Sequence, residues 1–136
     1  MRVEHVGLDA NSSPVVVLEE LAGERWLPIW IGSAEAHSIG VHMAEHEAPR
    51  PNSHDLAQSL IEGLSGEVER VAVTELRSGT YYATLTLRRS DGPVDIDARP
   101  SDAIAIALRT GAPIYVREHL FAEGGGEGEN DSAEAI

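Results

Sequence analysis

Two carboxylates, a guanidinium and a hydroxyl fall within six residues in Asp97-Ala98-Arg99-Pro100-Ser101-Asp102-Ala103. The segment reads as a strand-to-helix junction. Residues 94–98 alternate like a short strand, and Pro100 suits a first helical position, where its missing N–H costs nothing. Asp102 then faces the positive end of the helix dipole. Arg99 sits beside unpaired backbone donors, so the junction suits an anion, with an arginine fork for phosphate. The competing interpretation is structural: Asp102 caps the helix and Arg99 pairs with Asp97. A second polar knot is Pro49-Arg50-Pro51-Asn52-Ser53-His54-Asp55. Its prolines stiffen a loop, and Asn52 or Ser53 can cap the helix that follows. His54 beside Asp55 is a candidate for general acid–base work; the alternative is a capping carboxylate next to a solvated imidazole.

These groups must be held by regular elements. Strict alternation over residues 81–88 predicts a strand, with Tyr81, Ala83, Leu85 and Leu87 on one face. Arg77-Ser78-Gly79-Thr80 and Ser90-Asp91-Gly92-Pro93 predict turns on either side. Asn11-Ser12-Ser13-Pro14 and Ala22-Gly23-Glu24-Arg25 play the same parts earlier. Helices are predicted over residues 33–46, 53–64 and 100–110, the last ended by Gly111 and Pro113. Leu56, Leu60 and Leu64 recur every four residues, so the second helix is expected to bury that face. A short strand follows over residues 114–116, then a possible further helical turn over 118–121.

The chain also repeats itself. Val3-Glu4-His5-Val6 aligns with Val68-Glu69-Arg70-Val71, and the segment from Pro28 to Ala36 aligns with that from Asp95 to Ala103, matching Glu35 to Asp102. The expectation is an internal duplication of a strand-strand-strand-helix half. Chance alignment of alternating apolar residues is the competing explanation.

The 136 residues predict one domain over 1–121 and an acidic, Gly-rich disordered tail over 122–136. Cysteine is absent, which excludes disulfides and thiolate metal sites. No signal peptide or bilayer-spanning run is read, so the expected location is cytoplasmic. The formal net charge is −13, and all ten basic residues are arginine. That balance excludes a generic nucleic-acid coat and requires a local arginine cluster or a bridging cation. His42-Met43-Ala44-Glu45-His46 matches the H-x-x-E-H pattern of inverted zinc proteases, but a helix end also favours histidines, and the chain is short for a two-lobed protease. Trp26 and Trp30 read as core or oligomer contact rather than as a base-stacking platform.

Leu27-Pro28-Ile29-Trp30-Ile31-Gly32 with Glu35-Ala36, Pro49-Arg50-Pro51 with His54-Asp55-Leu56, and Asp97 through Ala105 together resemble the bifunctional nuclease family. The resemblance covers residues 2–121. It implies an α+β fold, a barrel-like, mainly antiparallel sheet with helices built from two similar halves, in a homodimer or larger homo-oligomer. It implies DNase or RNase activity, hydrolysing phosphodiester bonds. The implied catalytic residues are His54, Asp55, Asp97 and Asp102. Arg50, Arg99 and Ser101 would bind the substrate phosphate, and Glu19 and Glu35 are further candidates. Asp97 and Asp102, with Asp55, form a hypothetical oxygen-ligand set for Mg²⁺ or Mn²⁺, which would activate water and offset the acidic charge. The alternative function is a non-catalytic homo-oligomeric scaffold or ligand-sensing module, in which Asp97–Arg99 and Arg50–Asp55 pairs are structural.

Overall fold

The computed structural model describes residues 1–45, 49–127 and 133–135. The first half is a meander of β1 (Arg2–Asp9), β2 (Pro14–Glu19) and β3 (Arg25–Trp30), followed by α1 (Ser33–Met43). These strands are antiparallel, with Val6 opposite Val16 and Val15 opposite Trp30. Then α2 (Ser53–Gly63) leads to a second antiparallel meander of β4 (Glu67–Arg77), β5 (Thr80–Arg89) and β6 (Gly92–Ala98), followed by α3 (Pro100–Thr110). Beyond it, β7 (Ile114–Val116) pairs parallel to β4, and α4 (His119–Gly124) follows. Two more strands, β8 (Gly126–Glu127) and β9 (Ala133–Ala135), pair with β3 and β1.

Local chemistry explains these boundaries. Ser78 and Gly79 both have positive φ, 49° and 79°, which is the backbone a tight hairpin needs to match strand twist. Gly111 closes α3 in the left-handed conformation, φ 74°, where a side chain would be strained. Along β5, Ala83 and Leu85 are buried as the alternation predicts.

The strands form two separate sheets, one ordered β8-β3-β2-β1-β9 and one ordered β6-β5-β4-β7. The fold is therefore α+β, as expected, but the sheet does not close into a barrel. Charge at the second sheet's edge accounts for this in part: β6 carries Asp95 and Asp97 in the open, and a charged edge resists a further strand. A single core nevertheless unites the sheets. It takes Val16, Leu18 and Leu27 from the first, Val71, Val73 and Leu85 from the second, and Ile39, Ile104 and Leu120 from the helices. Both halves run three strands into a helix, and α1 and α3 pack on each other.

One expectation fails. Leu56, Leu60 and Leu64 are 55%, 57% and 84% exposed, and α2 contains no buried residue. Polar ties on the opposite face orient this helix instead, through His54, Asp55 and Gln58 to α1 and α3. The predicted end of the first helix and the H-x-x-E-H match both reach His46, which lies outside the described residues. Part of the tail, residues 128–132 and 136, does too.

Candidate active site

Three helix starts meet at one small cleft of about 270 Å³, lined by Ser38, Asn52, His54, Arg99 and Asp102 among others. At the start of α3, Pro100 occupies the first turn and Arg99 is the N-cap residue, in extended conformation. Asp102 makes no cap. Its carboxylate faces outward across the junction, where Arg99 Nε donates to Oδ2 at 2.9 Å and Arg99 Nη2 to Oδ1 at 3.2 Å. Arg99 Nη2 also donates to Glu35 Oε1 at 2.7 Å, from the first turn of α1. The two acids that align in the two halves of the sequence thus hold one arginine from both sides.

The start of α2 is a capping box. Asp55 N donates to Asn52 Oδ1 and Asn52 N donates to Asp55 Oδ2, both at 2.9 Å. This fixes the Asn52 amide, whose nitrogen then donates to Ser38 Oγ at 3.1 Å. Asp55 Oδ1 accepts from Arg109 Nε at 2.7 Å, and that guanidinium is almost wholly buried, its side chain 4% exposed. Arg109 Nη2 also donates to Ser38 Oγ, at 3.1 Å.

Ser38 is therefore a hub, and its partners set the protonation pattern. With two donors already on Oγ, its own hydrogen points to His54 Nδ1, 2.7 Å away. His54 then carries its proton on Nε2 and donates to Asp102 Oδ1 at 2.8 Å. The result is a Ser38–His54–Asp102 chain drawn from three helices. It has the parts of an acid–base relay: a hydroxyl, an imidazole base and a carboxylate that steadies the imidazolium.

Charge pairing tunes the carboxyls. Burial pushes the Asp102 carboxyl up, but hydrogen bonds from Arg99 and His54 outweigh it and hold it below the usual range. Asp55 is held low by the Arg109 hydrogen bond and then by the Asn52 backbone. Glu35 is held low by its own backbone N–H and then by Arg99. Arg99 is raised, chiefly through Asp102 and Glu35.

Among the residues singled out from sequence, the structure gathers His54, Asp55, Asp102, Arg99 and Glu35 into this network. Ser101 is buried next to it at the start of α3. Asp97 is apart: it is exposed on β6 opposite Thr84, and its side chain makes no hydrogen bond or ion pair among the described residues. Glu19 lies on β2 and pairs with Arg2 at 3.4 Å. Arg50 is exposed and unpaired among the described residues. The two structural pairings drawn from sequence also change partners, since Asp55 takes Arg109 rather than Arg50, and Arg99 takes Asp102 and Glu35 rather than Asp97. Ser38 and Arg109 were not singled out. Each has a sequence signal: Ser38 lies three residues after Glu35, and Arg109 seven after Asp102, spacings that share a helix face.

The carboxylates do not fit the hypothetical Mg²⁺ or Mn²⁺ set. Both oxygens of Asp55 and both of Asp102 accept from cationic or backbone donors, and Asp97 is not among them. No group of three or more His, Asp or Glu suited to a metal occurs among the described residues.

A sequence model of the bifunctional nuclease domain matches residues 16–128. The chain belongs to the bifunctional nuclease domain family. An uncharacterised protein of Mycobacterium tuberculosis is 45% identical over 115 residues, covering 85% of this chain and 68% of that protein. Bifunctional nuclease 1 of Arabidopsis thaliana is 30% identical over 116 residues, covering 82% of this chain and 36% of its own length. Bifunctional nuclease 1 of Oryza sativa subsp. japonica is 26% identical over 127 residues, with 91% and 38% covered. The chain thus spans little more than a third of these plant relatives. No helix among the described residues is long and apolar enough to cross a membrane.

Proposed function

We propose that this chain is a nuclease that hydrolyses phosphodiester bonds of RNA and DNA through Ser38, His54 and Asp102. The observation that carries this proposal is the 2.7 Å and 2.8 Å hydrogen-bond chain through His54, opening on a cleft that Arg99 also lines. Membership of the nuclease family supports it. Ser38 Oγ attacks phosphorus as its proton passes to His54 Nδ1. The P–O bond to the leaving strand breaks, and the imidazolium returns the proton to the leaving oxygen. Water then attacks the phosphoserine ester and gives a proton to His54, and the bond to Ser38 Oγ breaks as that proton returns. Asp102 stays ionised throughout and stabilises the imidazolium. Asn52 and Arg109 donate to Oγ and so ease its negative charge. Arg99 takes the phosphate oxygens, with Arg50 available to an adjacent phosphate.

This route uses no 2′-hydroxyl, so it serves RNA and DNA alike, and it needs no divalent cation. Rapid denaturing quench of the protein with an end-labelled oligonucleotide should show label covalently attached to wild type and none on Ser38→Ala. Active Ser38→Ala protein would overturn the covalent step.

The scaffold reading is favoured by one observation: Glu35, Asp55 and Asp102 are all already paired with arginines. Highly purified, folded wild type that cleaves neither polymer would select it. The implied homo-oligomer is kept as a proposal, with α2 as the contact. Its exposed Leu56, Leu60 and Leu64 form an apolar stripe that a second copy can cover.

A further inference from the structure

A larger cleft, about 560 Å³, lies on the other side of Arg99. It falls within the ~300–1,000 Å³ range of small-ligand pockets. Trp30, at the end of β3, forms part of its wall and is 54% exposed, so it is not the core residue that the sequence offered as one reading. An indole so exposed would ordinarily be free to move, but its Nε1 donates to Asp9 Oδ2 at 2.7 Å. Asp9 is itself fixed, accepting from the Asn11 and Ser13 backbone N–H groups at 2.8 Å and 2.9 Å. The ring is therefore a positioned apolar plate, anchored by its N–H edge.

Two polar features complete the wall. Arg99 is its only charged residue, and while Nε and Nη2 hold the two acids, Nη1 has no partner among the described residues. Ser101 also lines the cleft; it is only 6% exposed, and its hydroxyl makes no hydrogen bond to the described residues. A hydroxyl that opens on the cleft beside a guanidinium nitrogen with no partner offers two donors to one anion. A flat plate, one positive charge and an unmatched donor together describe a ligand with a planar ring and a phosphate.

We propose that this cleft binds one unpaired nucleotide of a single strand, its base stacked on Trp30 and its phosphate held by Arg99 Nη1 and Ser101 Oγ. Because Arg99 lines both clefts, the same strand continues to Ser38 and His54. A base inside a duplex keeps both faces covered by its neighbours, so the subsite selects single strands. The choice of ligand rests on the nuclease reading; the subsite is tested by binding, not by cleavage.

The test uses the Trp26→Phe protein, in which Trp30 is the sole fluorophore of its kind. Trp26 Nε1 has no hydrogen-bond partner, so this change removes no bond. A short single-stranded thymidine oligonucleotide should quench Trp30 emission, and the matching duplex and inorganic phosphate should not. In the otherwise wild-type chain, Trp30→Ala should bind the labelled single strand about 10-fold more weakly, and Trp30→Phe should recover most of the loss. Equal binding of duplex and single strand, equal binding of an abasic strand, or undiminished affinity in folded Trp30→Ala protein would overturn the subsite. Quenching with no cleavage by wild type would instead overturn the nuclease reading and leave the subsite standing.

Discussion

The most consequential single contact for stability is the one between Arg109 and Asp55. Arg109 is almost fully buried, and its charge is offset by one carboxylate and by carbonyls of Ala105 and Ser38. Removing one partner of such a pair leaves a desolvated charge behind, so Asp55→Ala should lower unfolding free energy by about 3 kcal/mol, read by denaturant titration. Arg50→Ala, which removes an exposed, unpaired side chain, should leave stability within about 0.5 kcal/mol. Equal losses in both would show that Asp55 is held by Arg50, the pairing drawn from sequence alone. At the same scale, His54 contributes through two nitrogens with different partners. His54→Gln can satisfy only part of that geometry, so it should keep the fold and lose cleavage.

Helices α1, α2 and α3 are tied at their first turns by ionised carboxylates, and this makes their packing sensitive to acid. Glu35, Asp55 and Asp102 all hold protons less readily folded than unfolded. As pH falls, the unfolded chain takes up protons first, so stability present above about pH 4 is lost as pH drops through the lower folded values. Melting temperature should be flat near neutrality and fall below about pH 4. An unchanged melting temperature on acidification would mean that these pairs contribute nothing. The junctions themselves were legible in the sequence. Pro100 and Asp102 fall where their types suit, and Asn52 with Asp55 forms the cap that its spacing allows. The orientation of α2 was not legible, because the leucine period is a rule about burial and cannot register polar ties. Those ties join residues 16 to 54 positions apart, as between Ser38 and His54 or Asp55 and Arg109. The same distance in sequence hid Ser38 and Arg109. The exposed leucine face gives a further expectation: Leu60→Gln should change subunit stability by less than about 0.5 kcal/mol while reducing the mass seen by light scattering. An unchanged mass would remove α2 as the contact.

Across the whole molecule, two three-stranded meanders each deliver a helix start to the same place, and α2 adds a third. Alternation indicated individual strands and the family resemblance implied the α+β class, while separation into two sheets depended on edge strands and on pairings distant in sequence. The net charge of −13 shaped the expectation of a bridging cation. In the folded chain the acids near the cleft are instead neutralised by Arg99 and Arg109. Arg99 keeps one nitrogen for substrate. The central claim is that the Ser38–His54–Asp102 chain cleaves phosphodiester bonds. Its most direct test is the initial rate at which highly purified wild type and Ser38→Ala cut a labelled single-stranded oligonucleotide in excess EDTA, with both proteins shown to be folded. The account predicts cleavage by wild type undiminished by EDTA and a fall of about 100-fold or more in Ser38→Ala. Cleavage abolished by EDTA in wild type, or equal rates in the two proteins, would contradict it.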